Sequence, residues 1–150
     1  MLEEKIFSDY KEAMKSKDSL KASVISFLRA EFKSVAMAKN KDLLDDADCI
    51  AVIKKQIKRR EDSILQFRQG NRPDLADKEA GESEILKTYL PPQLSEADLG
   101  RIIDETIAAA GAAGLKDMGR VMKEVTAKAG ASADARLVSE MVKARLSAGQ

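Results

Sequence analysis

Tyr89-Leu90-Pro91-Pro92-Gln93-Leu94-Ser95-Glu96 decides how this chain is organised. The stretch holds two of the three prolines and lies between two segments that both carry helical periodicity. A proline pair cannot continue a helix and pushes the residue before it toward extended geometry. Ser95, followed by Glu96, then supplies a cap and a favourable first-turn charge for a new helix. The expected fold is all-α: a four-helix N-terminal bundle over residues 1–90 and a smaller three-helix C-terminal bundle over residues 91–150, joined at a Pro-Pro elbow.

Upstream of the prolines, Leu2, Ile6, Tyr10, Ala13 and Met14 recur at helical spacing. Asp18 or Ser19 can cap a second helix, with Leu20, Val24, Phe27, Leu28 and Val35 as its inward stripe and an end near Lys39-Asn40. Asp45 caps a third, and Asp46 and Asp48 suit the positive end of its dipole. Its stripe is Ile50, Ile53, Ile57, Ile64 and Phe67, and it stops near Gln69-Gly70. Pro73 fits the first turn of a fourth helix, which carries Leu75, Ala76, Ala80, Ile85, Leu86 and Tyr89. Downstream, a helix over Glu96–Ala110 turns Leu99, Ile102, Ile103 and Ile107 inward and ends by Gly111. Asp117 can cap the next, which runs to about Val125. Residues 129–132 read as a loop. A last helix from near Ala133 presents Leu137, Val138, Met141, Val142 and Leu146. No strand pattern interrupts the series.

Composition narrows the chemistry. Charged residues make up 34% of the chain, above the globular average, yet the net charge is only +1. Residues 1–90 carry 18 basic and 17 acidic side chains, and residues 91–150 carry 8 and 8. Bulk charge therefore calls for neither nucleic acid nor membrane. The absence of histidine excludes His-based acid/base catalysis and imidazole metal sites. The single cysteine, Cys49, excludes an internal disulfide and a thiolate zinc cage. A reducing, cytoplasmic setting is expected. No apolar run nears the ~20 residues of a membrane span, and the acidic start Met1-Leu2-Glu3-Glu4 argues against a signal peptide. Neither a metal nor a cofactor is expected.

Two basic stretches stand out. In Lys54-Lys55-Gln56-Ile57-Lys58-Arg59-Arg60, the cations Lys54, Lys55, Lys58 and Arg59 fall on adjacent helical rows and form a strip of the kind a phosphate backbone meets. A solvated helix face, with Lys58 paired to Asp62, would carry the same pattern. In Lys116-Asp117-Met118-Gly119-Arg120-Val121-Met122-Lys123, the glycine costs ~1 kcal/mol against alanine inside a helix and marks close approach of another backbone, with Val121 and Met122 packing beside it. Lys116, Arg120 and Lys123 lie along the exposed side, and Lys128 follows. Lys116–Arg145 holds seven basic and four acidic residues, whereas Glu96–Glu105 holds four acidic and one basic, so the small bundle is polarised. A glycine that only permits tight helix packing, among ordinary cations, fits equally well. Asp42, Asp45, Asp46 and Asp48 lack calcium-loop spacing and suit capping. Glu79, Glu82 and Glu84 read as solvent-facing carboxylates, and Cys49 as a small half-buried residue. No nucleophile–base pair is visible.

In order and spacing these motifs resemble the YqeY family over nearly the whole chain. The resemblance rests on Lys58-Arg59-Arg60-Glu61-Asp62-Ser63, Phe67, Arg72-Pro73-Asp74-Leu75-Ala76, Glu79, Glu82, the Tyr89–Ser95 stretch and Lys116–Met122. That family is similar to the C-terminal tail of the B subunit of tRNA-dependent amidotransferases, where the related tail contacts the tRNA body. The resemblance implies two unlike helical bundles and a tRNA-binding-like accessory role. It also brings a family label, carbon–nitrogen ligase with glutamine as amide donor. The chain has no amidase or kinase-like domain, so a non-catalytic role is expected. The partners expected are tRNA, an amidotransferase-like complex or another protein, with neither DNA nor a membrane; the alternative is a helical protein–protein adaptor without an RNA role. Two departures from the family pattern bear on this. Position 71 is Asn where the family usually has Gly, and Gly130-Ala131-Ser132-Ala133-Asp134-Ala135 lacks two cations the family often carries there.

Overall fold

The structure, a computed structural model, describes residues 1–148. Among them every regular element is helical and none is a strand: α1 (Leu2–Lys15), α2 (Ser19–Ala38), α3 (Asp46–Gln69), α4 (Pro73–Lys87), α5 (Glu96–Ala110), α6 (Met118–Ala129) and α7 (Ala135–Ala148), with short 3-10 turns at Leu115–Asp117 and Gly130–Ser132. The chain forms two compact units, Met1–Leu90 and a second from Pro91 onward.

Local chemistry sets the helix ends. Asp18, Asp45 and Ser95 each accept a hydrogen bond from the backbone N–H three residues on, which satisfies one of the free donors of α2, α3 and α5. The far ends close by a second device. Asp18 N–H reaches Ala13 O, Lys41 N–H reaches Ala36 O, Arg72 N–H reaches Phe67 O and Ala112 N–H reaches Ile107 O. These are the wide loops of Schellman endings, each turning on one left-handed residue. That residue is Lys17, Asn40, Asn71 or Gly111. Asn71 has φ 57°, so the position where the resemblance leads one to expect glycine takes the side chain that best tolerates this conformation after glycine.

In the first unit, α1 packs on α2 and α3 on α4, with α2 touching both of the latter. The core joins Ile6, Ile25, Leu28, Phe32, Leu44, Ile53 and Leu86, all essentially inaccessible. Tyr89 belongs to it, and its hydroxyl donates to Asp9 Oδ2 at 2.6 Å. Several expectations need correcting here. Met14, Leu20 and Phe27 are exposed, Phe27 at 60%, while Ile25 and Phe32 take the inward positions of α2. Cys49 is fully buried, not half-buried. Asp45 caps α3 and Asp46 and Asp48 stand in its first turn, as expected; Asp46 also accepts from Leu2 N–H at the start of α1, and Asp48 pairs with Lys39 and Lys41.

In the second unit α5, α6 and α7 pack on one another around Leu99, Ile103, Val121, Val125, Val142 and Leu146. Helix α6 runs four residues past the expected Val125, and α7 starts at Ala135. The 129–132 segment is not a plain loop: Ser132 O accepts from Leu94 N–H at 2.8 Å and Ala131 O from Gln93 Nε2 at 3.1 Å.

Candidate functional site

The basic row of the second unit begins in the 3-10 turn with Lys116 and continues on α6. Arg120 and Lys123 are three residues apart, so they share a face, and all three cations are exposed. Val121, Val125 and Ala129 bury the opposite side. Lys116 and Lys123 form no ion pair among the described residues. Arg120 pairs with Asp117 at 3.2 Å. Asp117 does not cap α6 with its side chain; the carboxylate instead accepts from Ala113 N–H at 3.0 Å and holds the preceding turn. Lys128 lies off the row, and its ammonium donates to Thr106 Oγ1 at 3.0 Å. It thus serves the α5–α6 contact.

Gly119 corrects a second expectation. Apart from its chain neighbours and its own helix, no described atom comes within 4 Å of where its Cβ would stand, so among the described residues no other backbone packs against it. The glycine leaves bare backbone on the exposed surface, between Lys116 and Arg120. Close packing is found at Gly100 instead, where a Cβ would stand 2.6 Å from the guanidinium of Arg145. Val121 is fully buried and Met122 packs against the core.

On α3, Lys55 and Lys58 are exposed and Lys54 is partly covered. Arg59 lies 3.7 Å from Glu31 of α2. Lys58 makes no ion pair with Asp62 among the described residues. Arg60, the last cation of the run, turns inward, where its guanidinium donates to Glu79 at 3.2 Å and also to Glu82. Glu82 is therefore buried and paired rather than solvent-facing, and Glu79 is only a quarter exposed. Glu84 alone of the three points to water. The cluster opens on a cavity of about 380 Å³ walled by Phe27, Gln56, Arg59, Arg60, Glu79 and Glu82.

Sequence reasoning missed this cluster. Its signal was a pair of acidic residues at i,i+3 on a helix whose apolar neighbours face inward, together with one arginine beside the Ile stripe of another. Elsewhere, burial pushes the Cys49 thiol up to about 11, with the charges of Glu3 and Asp46 adding to the effect. Among the described residues no group of acidic or cysteine side chains stands together as a metal cage, and no helix is long and apolar enough to cross a membrane.

Curated relatives match parts of the chain. A Candida glabrata protein named Altered inheritance of mitochondria protein 41, mitochondrial, is 38% identical over 94 residues, covering 61% of this chain and 52% of its own length. The protein of that name from Lachancea thermotolerans is 39% identical over 94 residues, covering 61% and 50%. That from Saccharomyces cerevisiae is 32% identical over 103 residues, covering 67% and 56%. The chain thus spans about half the length of these relatives. Their names are mitochondrial, which overturns the cytoplasmic setting expected from the cysteine count. The model of the family described as Yqey-like protein matches residues 3–146, and the chain belongs to that family.

Proposed function

We infer that the second unit is a non-catalytic RNA-contacting module, an accessory to tRNA metabolism of the kind the resemblance to the amidotransferase B-subunit tail implies. One observation carries the reading: Lys116, Arg120 and Lys123 line an exposed face on which Gly119 leaves the backbone bare. A sugar–phosphate chain needs cations at intervals and room for close approach, and this face supplies both. Amide transfer is not part of the proposal, because the first unit supplies helices and an ion-pair cluster and no amidase domain. A mitochondrial setting, taken from the names of the relatives, belongs to the same proposal.

The test is a titration of the full chain with bulk tRNA at two salt concentrations. Each phosphate contact on duplex contributes a slope of about 0.9 in log K against log salt, so three contacts give roughly 2.7. The triple variant Lys116→Glu, Arg120→Glu, Lys123→Glu is expected to lose binding while keeping its helix content, since none of the three is buried. Wild-type affinity in that variant would remove the site, and no binding at low salt would remove the RNA role.

A second reading, a helical protein-interaction adaptor, draws on the first unit. Leu20 and Phe27, seven residues apart on one face of α2, are both exposed. Exposed apolar residues that share a helix face suit a partner helix. Binding to a protein partner that survives high salt and Lys116→Glu, but fails in Phe27→Ser, would favour it.

A further inference from the structure

Arg29 of α2 is half-buried, yet its guanidinium makes no ion pair or hydrogen bond among the described residues. Aromatic rings hold it instead. Its central carbon lies 4.2 Å from the ring centre of Phe7 on α1 and 5.1 Å from that of Tyr10. A guanidinium is a fork of N–H donors, and this one is held in place with its donors unused. The Lys11 ammonium is also 4.2 Å from the Phe7 centre, so the two cations lie no farther apart than twice that distance. Lys33, one turn beyond Arg29, shares its helix face. Lys11 and Lys33 are exposed, and neither forms an ion pair among the described residues. Cations gathered without a counter-charge repel one another, and an anion spanning them removes that cost. Beside Arg29 and Lys33 lies a cavity of about 380 Å³ whose wall includes Glu3, Met37 and Asp42. Glu3 Oε2 accepts from Leu44 N–H, while the exposed Asp42 side chain makes no hydrogen bond among the described residues.

We propose that this α1–α2 face binds a single strand of RNA, with Lys11, Arg29 and Lys33 taking phosphates, Phe7 covering a base and Asp42 accepting from a ribose hydroxyl. Cations set among aromatic side chains are what an unpaired strand requires, since its backbone is anionic and its bases have open faces. Phe7 stays 38% exposed despite the two cations on its ring. The carboxylates in the wall choose between partners. They repel an acidic peptide, which brings no donor to meet them, whereas the 2′-hydroxyl of RNA can donate to one. The proposal rests on residues of the first unit and is independent of the Lys116 row.

The probe is a short fluorescein-labelled oligouridylate, followed by anisotropy. It is titrated into the full chain, wild type and the variant Lys116→Glu, Arg120→Glu, Lys123→Glu, in which the second unit's row cannot contribute. Binding is expected to persist in that variant, with a slope of roughly 2.1 in log K against log salt for three single-strand contacts. Arg29→Gln is expected to weaken it at least about tenfold. Lys11→Gln with Lys33→Gln, both exposed, should lower the slope by about 1.4 and decides the matter if Arg29→Gln does not fold. Phe7→Leu keeps all three charges but frees two of them from the ring, and is expected to cost about threefold; a diffuse basic surface would not respond to it. Oligodeoxythymidylate should bind at least about threefold more weakly, and polyglutamate should not compete. Binding by wild type that vanishes in the triple Glu variant overturns this proposal and leaves the Lys116 row standing. Binding that persists, with tRNA affinity also unchanged in the triple variant, removes that row and leaves this face. No binding at low salt, an unchanged slope in Lys11→Gln with Lys33→Gln, equal affinity for oligodeoxythymidylate, or competition by polyglutamate each overturns the proposal.

Discussion

Replacing Arg60 by methionine keeps most of the apolar stem and removes the guanidinium that Glu79 and Glu82 share. The Arg60 side chain is 14% exposed, Glu82 11% and Glu79 25%. Removing one partner of a buried charge cluster costs about 3–5 kcal/mol, because the other is left without a counter-charge. Glu79 is the more exposed carboxylate and can turn to water, so the penalty falls on Glu82. The low end of that range, about 3 kcal/mol, is expected. For a unit of this size about 1 kcal/mol shifts Tm by ~4–8 °C, so the drop should exceed about 10 °C. The assay can isolate the first unit. Both tyrosines, Tyr10 and Tyr89, precede Pro91, and tyrosine fluorescence during urea unfolding therefore reports that unit alone. Adding Glu82→Leu to Arg60→Met removes the orphaned charge and should recover about half of the loss or more. A cost below about 1 kcal/mol for Arg60→Met, the range of exposed pairs, would refute the reasoning.

Three further outcomes are expected. Gly119→Ala meets no described atom within 4 Å outside its own helix and chain neighbours and should hold or raise stability, by up to ~1 kcal/mol, while weakening tRNA binding; a destabilised variant in thermal unfolding would mean that the glycine is packed. The Cys49 thiol, buried and raised to about 11, should resist a disulfide reagent at neutral pH until urea unfolds the first unit, and rapid labelling of the native chain would contradict its burial. Asp48 is held down to about 2 from an ordinary 3.8 by hydrogen bonds from Lys39 and Lys41. Its folded value lies below its unfolded value, so its stabilising contribution is complete above pH ~4 and lost as pH falls toward 2. Acid unfolding curves of Asp48→Asn should therefore differ from wild type above pH 4 and converge with it near pH 2.

Much of the fold was legible because its punctuation is local. Asp18, Asp45 and Ser95 cap helices by contacts within three residues, and Pro73 and Gly111 stand where their backbone preferences put them. The inward face of α2 was not legible. That helix carries apolar residues almost all round and touches α1, α3 and α4, so no single stripe is singled out. Phe27 was read as core and Phe32 overlooked for that reason. The Arg60 cluster was hidden by a sound default, that charged side chains face water. Which helices meet is a tertiary fact, and only that meeting gives Glu82 its partner. The two glycines show the same divide. Gly119 looked like a packing glycine because a helical pattern runs through it, whereas Gly100, which does lie under the Arg145 guanidinium, gives no local sign of it.

The bond from Tyr89 to Asp9 spans 80 residues, and it bears on how this protein is made. A ribosome releases the chain from its N-terminus, and a unit folds when its last indispensable piece emerges. Here that piece is the Leu86–Tyr89 segment, the last turn of α4 and the two residues after it, which completes the core that also holds Ile6, Leu28 and Ile53. Until it clears the exit tunnel, those side chains have no complete cover. The nascent chain therefore carries an incompletely covered apolar face through almost the whole synthesis of its first unit, until Tyr89 emerges to join Asp9.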